Sequence, residues 1–306
     1  MSTRVAVPAA VQPARGRRRR SDGHAKYVFL LPALAYLVIL GVVPLLFSLY
    51  LVFGSWQAGT KEISWVGLDN IRRLAEDTRF WNAFRLTLIF VALVAGLELL
   101  LGFVIALALQ ADLRGKNGLR LLFAVPMLLP PIAVSLTWKM LFDFQKGPIN
   151  YGLERLGLDG VQWLAGRPAS LFALAIVDVW QWTPFIALAV LAALESMPPE
   201  LYEAGTVDGA SPWNLLRDIT LPLIQPYVVA VVLLRSIDAF KIFDSVYVLT
   251  GGGPGTSTEV LSFYAYVAGY KVFNMGFTST VSWALVLTMT VVFLLFLRVF
   301  RRLEDA

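Results

Sequence analysis

Four ionisable side chains, Arg235, Asp238, Lys241 and Asp244, alternate in sign at intervals of three residues inside a largely apolar stretch. Charge buried in such a stretch is costly unless it is paired or faces a watery cavity, so these residues mark a functional site by default. On one helix each neighbouring pair would be close enough to interact, while the set drifts about half a turn around the axis. Two readings stay open: the four line a polar path, or they pair along the helix and merely neutralise its outer half. A second group, Asp178, Trp180, Gln181 and Trp182, brings acceptors, donors and flat apolar faces together. Sugars are bound by such mixtures, because their hydroxyls need hydrogen bonds while their C–H faces pack on rings. The competing reading is packing with helix–helix hydrogen bonds. Glu98, alone in another apolar run, is expected to be a buried partner of some other polar side chain rather than a proton carrier.

Covalent chemistry is poorly served by this composition. The chain has no cysteine and one histidine, His24, which removes disulfides, thiolate chemistry, Cys/His zinc sites and histidine-based triads. An enzyme would have to work with carboxylates, Lys, Tyr or Ser alone, and no convincing carboxylate–metal constellation stands in an aqueous loop. The glycine-rich run Thr250-Gly251-Gly252-Gly253-Pro254 is not followed by Lys-Ser/Thr, so it is not read as a phosphate-binding loop.

The elements that must position these residues are apolar. The 306 residues are 58% hydrophobic and 15% charged, with mean hydropathy +0.68, and the apolar residues gather into runs long enough to cross a bilayer. An all-α polytopic membrane protein with six transmembrane helices is expected, its spans near residues 27–53, 84–109, 121–142, 170–194, 223–248 and 277–299. Pro32 and Pro44 should kink the first span, and Pro126, Pro130 and Pro131 should break or kink the third. Residues 54–82 and 143–169 are expected as external loops, with Trp56, Trp65, Phe80 and Trp81 as interfacial anchors.

Residues 1–25 are expected to form a disordered basic cytoplasmic tail ahead of a six-span domain at 26–306. The net charge of +5 owes much to Arg15, Arg17, Arg18, Arg19, Arg20 and Lys26, just before the first apolar run. Basic flanks of this kind lie on the cytoplasmic side, beside anionic lipid, so they indicate orientation rather than a nucleic-acid partner. The first run is too long for a signal peptide and is read as an uncleaved span. Both termini and the polar segment 195–222 then share the cytoplasmic side.

That polar segment contains ELYEAGTVDGASPWNLLRDITLP, from Glu200 to Pro222. Ser196 is expected to cap a first short helix opened by Pro198 and Pro199, with Glu200 and Glu203 near its positive end. This helix should end near Asp208-Gly209, and Ser211-Pro212 should start a second one. On the second, Leu215, Leu216 and Ile219 share one side, and Asn214, Arg217 and Asp218 the other.

Glu203-Ala204-Gly205, Asp208-Gly209-Ala210 and Ile219-Thr220-Leu221-Pro222 resemble the EAA signature of permease subunits of bacterial ABC importers, most closely the carbohydrate-uptake branch. The departure is Gly205, where the pattern usually has a second alanine. The resemblance covers nearly all of the chain after the tail. It implies the type I importer permease fold and an ATPase-coupling role for Glu203, Ala204, Gly205, Asp208, Gly209, Ala210, Leu216, Ile219 and Pro222. The stretch Asp238 to Asp244 with Tyr247 is similar to what sugar permeases carry there, which implies that this helix lines the translocation path. Implied partners are a second permease subunit, two ATPase subunits that carry ATP and Mg, an extracytoplasmic solute-binding protein and membrane lipid, with no cofactor on this chain and no nucleic acid. The implied place is the bacterial inner membrane. The implied solute is an oligosaccharide, polyol, glycoside or glycerol-phosphate, moved without a catalytic site. Rival readings are an ion-coupled secondary transporter, a membrane enzyme and a lone channel.

Overall fold

The computed structural model describes residues 23–111 and 115–304. The arginines of the basic tail and Arg114 lie outside the described residues. The chain divides into two units, Met1–Ser48 and Leu49–Ala306.

The described part of the first unit is helical. Helix α1 (Gly23–Leu37) passes through a widened, π-type turn at Val38–Val42 into α2 (Val43–Val52), which continues past the unit boundary. Pro32 lies inside α1, and the widened turn directly precedes Pro44, whose missing N–H would interrupt a regular ladder.

In the second unit, β1 (Gly54–Ser55) pairs antiparallel with β2 (Ser64–Trp65), and α3 (Asp69–Glu76) follows. The long α4 (Thr78–Gln110) starts at Asp77, whose carboxylate accepts from the backbone N–H of Arg79 at 2.8 Å and of Phe80 at 3.2 Å. Helices α5 (Lys116–Leu128) and α6 (Pro131–Leu141) meet at 92° where Pro130 and Pro131 interrupt the ladder. Next come α7 (Pro148–Arg155), α8 (Ala169–Glu195), α9 (Pro199–Val207) and α10 (Pro212–Asn214). A π-type turn at Leu215–Thr220 joins α10 to α11 (Leu221–Ala239), and α12 (Leu261–Tyr266) and α13 (Met275–Glu304) complete the unit.

Among the described residues, five helices are long and apolar enough to cross a membrane: Leu30–Val52, Thr78–Gln110, Ala169–Glu195, Pro212–Ala239 and Met275–Arg302. The bent pair α5–α6 makes a sixth if counted as one span, in line with the expected six and the expected break at the prolines.

Three expectations are corrected. The fifth span does not run to residue 248 as one helix: α11 ends at Ala239, and a short helical stretch resumes at Asp244 and continues through Val246–Thr250. Lys241 and Asp244 therefore do not share a helix with Arg235 and Asp238. The cause is tertiary, since Phe240 and Ile242 turn into the core and Ser262 donates to the Ile242 carbonyl. The second correction concerns Phe80, which packs in the core instead of anchoring at an interface; the two segments expected as external loops carry α3 and α7. Third, Ser196 closes α8 and donates to the Ala193 carbonyl, while Pro198 precedes α9, which begins at Pro199.

Two apolar layers stack along α4, α8 and α11. One gathers Phe90, Val94, Ala173, Leu174, Val177 and Ala239; the other gathers Ala106, Leu109, Ile186, Val190, Leu194 and Ile224. Along α4 and α8, residues Glu98, Asp178 and Gln181 fall between the two layers, where a polar side chain has only protein to satisfy it.

Candidate functional site

The interval between the layers is occupied by Arg235. Its side chain is 2% exposed and forms ion pairs with Glu98, with Nε 2.7 Å from Oε2, and with Asp178. Its Nη2 also donates to Glu98 Oε1 at 2.9 Å, and the guanidinium lies 5.6 Å from the centroid of Trp182. Glu98 on α4, Asp178 on α8 and Arg235 on α11 thus tie three helices together, and Glu98 is a buried ion partner as expected. A sequence reader could have paired Glu98 with Arg235 as opposite charges in neighbouring apolar spans; the separation of 137 residues hides it from any local pattern.

The network continues outward. Asp238 Oδ2 lies 3.6 Å from Arg235 Nη1, and Asp238 Oδ1 lies 3.6 Å from Lys241 Nζ. These groups line a cavity of about 160 Å³ together with Asp178, Gln181, Trp182 and Asp244. Seven of the nine residues singled out for a polar path thus meet around one space, in spite of the break after Ala239. The other two do not. Trp180 packs edge-on against Trp138 at 5.7 Å on an apolar face, and Tyr247 stacks on Phe243 at 5.7 Å and stands half-exposed outside the cavity. Gln181 is spent structurally, because its Nε2 donates to the Leu129 carbonyl at 3.0 Å and satisfies the backbone opened at the α5–α6 bend.

The far end of α11 carries the second site. Helix α9 closes in a Schellman turn: Gly209 N–H donates to the Thr206 carbonyl at 3.0 Å and Ala210 N–H to the Gly205 carbonyl at 2.9 Å. Gly209 sits at φ +81°, where a side chain would be strained. Ser211 then caps the next helix by accepting from Asn214 N–H at 3.3 Å, with Pro212 in its first turn. Leu215, Leu216 and Ile219 are half-buried, while Asn214, Arg217 and Asp218 are exposed, as the amphipathic pattern predicts. A Cβ on Gly205 would come within 2.6 Å of Leu215 Cδ2 and 3.1 Å of Ile219 Cδ1, so glycine lets the two helices approach closely. Tyr202 and Thr220 hydroxyls, 3.0 Å apart, fasten the pair. Outward, Glu203, Ala204, Asp208 and Pro222 are exposed, and Val207 and Trp213 present large apolar surface at 87% and 65% exposure.

Sequence reasoning missed a third polar contact. Arg79 makes a two-pronged ion pair with buried Glu259, with both contacts at 2.7 Å, and clamps the start of α4 to the loop after the glycine-rich run. Beside it Tyr264 donates to Asp77 Oδ2 at 2.5 Å; burial first, and this bond second, push its phenol up.

A second unit of long apolar helices with a charged space between apolar layers, and an exposed amphipathic pair fixed to one of those helices, defines a polytopic membrane protein with a polar interior. Groups of His, Cys, Asp or Glu able to hold a metal ion are absent among the described residues. The chain belongs to the family of binding-protein-dependent transport system inner membrane components, whose model matches residues 98–306. It is 36% identical to the trehalose/maltose transport system permease protein MalF of Thermococcus litoralis, over 88% of this chain and 92% of that one. It is 31% identical to the trehalose transport system permease protein SugA of Mycobacterium tuberculosis, over 92% and 90%. These relatives are transport permeases rather than enzymes. A chain of a bacterial alginate ABC transporter, solved with a pentasaccharide-bound periplasmic protein, superposes with a TM-score of 0.80 at 21% identity, covering 91% of this chain and 94% of that one, and shows the same fold.

Proposed function

We propose that this chain is one of two permease subunits of an ATP-driven importer for a sugar or sugar-like solute. Residues 199–220 dock, in this reading, on the cytoplasmic ATPase subunits that bind ATP and Mg, an external binding protein delivers the solute, and both termini lie in the cytoplasm of a bacterial cell. The sugar class is supported by relatives named for trehalose and maltose and by the mixed polar and aromatic wall of the cavity.

One observation carries the coupling. Pro212 to Ala239 runs as one 28-residue helical element, about 42 Å at 1.5 Å per residue, from the exposed amphipathic pair to the charged cavity. A push on the pair is delivered to Arg235 and Asp238 at the other end as a rigid-body displacement, the kind of motion by which packed helices switch between discrete arrangements. No covalent step is required of this chain.

The test is ATP hydrolysis and solute uptake by the complex reconstituted in liposomes with its neighbouring subunits and binding protein. One solute should stimulate hydrolysis and be taken up. Glu203→Lys, on the exposed face of α9, should abolish both while the protein still inserts and assembles with the second permease. Full transport by Glu203→Lys would overturn the docking role, and uptake that follows an ion gradient without ATP would make the protein a secondary transporter.

A further inference from the structure

We infer that the cavity between α8 and α11 accepts a neutral polyhydroxylated sugar unit and rejects anionic sugars, with Asp244 as the acceptor for the solute's hydroxyls. This rests on the reading of the cavity as part of the solute path.

The argument is one of which charges are already committed. Arg235 is held by two carboxylates, Glu98 and Asp178, with Trp182 beneath its guanidinium. Asp238 is shared between Arg235 and Lys241, at 3.6 Å from each. Gln181 has its amide on the Leu129 carbonyl. Asp244 is different: it is half-buried, lines the cavity, and has no hydrogen bond or ion pair among the described residues. A carboxylate has about four acceptor sites on two oxygens, so it can receive two neighbouring hydroxyls of one ring. Trp182 and Phe243, also in the lining, supply apolar surface for the ring's C–H face.

An anionic solute finds no such opening. Of the two cations of the lining, Arg235 is held by Glu98 and Asp178, and the more exposed Lys241 lies 3.6 Å from Asp238. Three lining aspartates outnumber those two cations, and Glu98 adds a fourth carboxylate behind Arg235. A phosphate, sulfonate or uronate would therefore meet like charge across a short gap, and such juxtaposition suppresses binding. Size agrees with a single ring: about 160 Å³ is the room of about five waters and lies below the roughly 300 Å³ where drug-sized ligand pockets begin.

The test uses the reconstituted complex with its binding protein, a panel of neutral probes (trehalose, maltose, N,N′-diacetylchitobiose) and anionic probes (trehalose 6-phosphate, a glucuronide, an alginate oligosaccharide). Solute uptake and ATP hydrolysis are measured together. Wild type should import one or more neutral probes and no anionic one. Asp244→Asn should keep ATP hydrolysis stimulated by the loaded binding protein but lower uptake per ATP by about tenfold, the effect of losing one charge-assisted hydrogen bond. Import of an anionic probe by wild type overturns the inference, whatever the variant does. Wild-type uptake per ATP in Asp244→Asn overturns Asp244 as the acceptor, as does a variant whose hydrolysis is no longer stimulated, because Asp244 would then act on coupling. If no probe stimulates hydrolysis in wild type, the importer reading fails first and takes this inference with it.

Discussion

Arg235→Met removes the one cation that neutralises two buried carboxylates, and the structure sets the size of the effect. Glu98 and Asp178 side chains are 0% and 8% exposed, so neither gains water when its partner is lost. Breaking a buried pair by removing one side costs about 3–5 kcal/mol, mostly the desolvation of the charge left behind. At roughly 2–4 °C per kcal/mol for large domains, the melting temperature should fall on the order of 10 °C. Removing all three charges together, as Arg235→Met with Glu98→Gln and Asp178→Asn, leaves no charge stranded, and such replacements of buried ion pairs are often neutral. The assay is thermal unfolding of the permease complex in lipid nanodiscs, read by fluorescence. The single variant should melt far below wild type and the triple variant close to it. A triple variant as unstable as the single one, or a single variant that melts like wild type, would refute the view that Arg235 is retained as the counter-charge of Glu98 and Asp178.

Three further outcomes follow from the geometry. Gly205→Ala should leave ATP-coupled uptake near wild type, because the nearest atoms are the ends of flexible Leu215 and Ile219 and alanine returns about 1 kcal/mol of helix propensity; Gly205→Val, branched at the crowded carbon, should reduce it severalfold. Gly209→Ala should destabilise the turn by about 1–2 kcal/mol, since φ is +81° there, and Gly209→Pro, whose ring cannot reach that angle, should abolish coupled transport while the protein still inserts. Arg79→Gln should leave Glu259 buried without its cation and make residues 250–260 more sensitive to limited proteolysis in the assembled complex, with cleavage rates as the measure.

Much of this arrangement was legible because its signals are local. Ser211-Pro212 and Asp208-Gly209 carry their cap chemistry in adjacent residues, and both turns form where that chemistry requires. The broken span was equally readable from Pro130-Pro131. What stayed hidden depends on contacts between distant residues. No proline or glycine marks the end of α11; the helix stops because Phe240 and Ile242 are drawn into the core, and that break carries Lys241 and Asp244 off the helical register on which their spacing was read. Asp238 lies 3.6 Å from both Arg235 and Lys241, and the same residues line a cavity with Asp178 and Asp244, an arrangement that their spacing on one continuous helix could not show. Ser196 shows the converse error, where a capping residue in the right neighbourhood serves the end of one helix and not the start of the next.

The central claim, that the pair α9–α10 docks an ATPase, is tested most directly by proximity. The chain has no cysteine, so Val207→Cys, at the most exposed apolar position of α9, provides a single thiol for a short photo-activated cross-linker. In the assembled, ATP-hydrolysing complex it should form a covalent adduct with the ATPase subunit, whereas Leu287→Cys, exposed on the apolar α13, should not. A complex that hydrolyses ATP and imports solute yet gives no Val207→Cys adduct with that subunit would contradict the account.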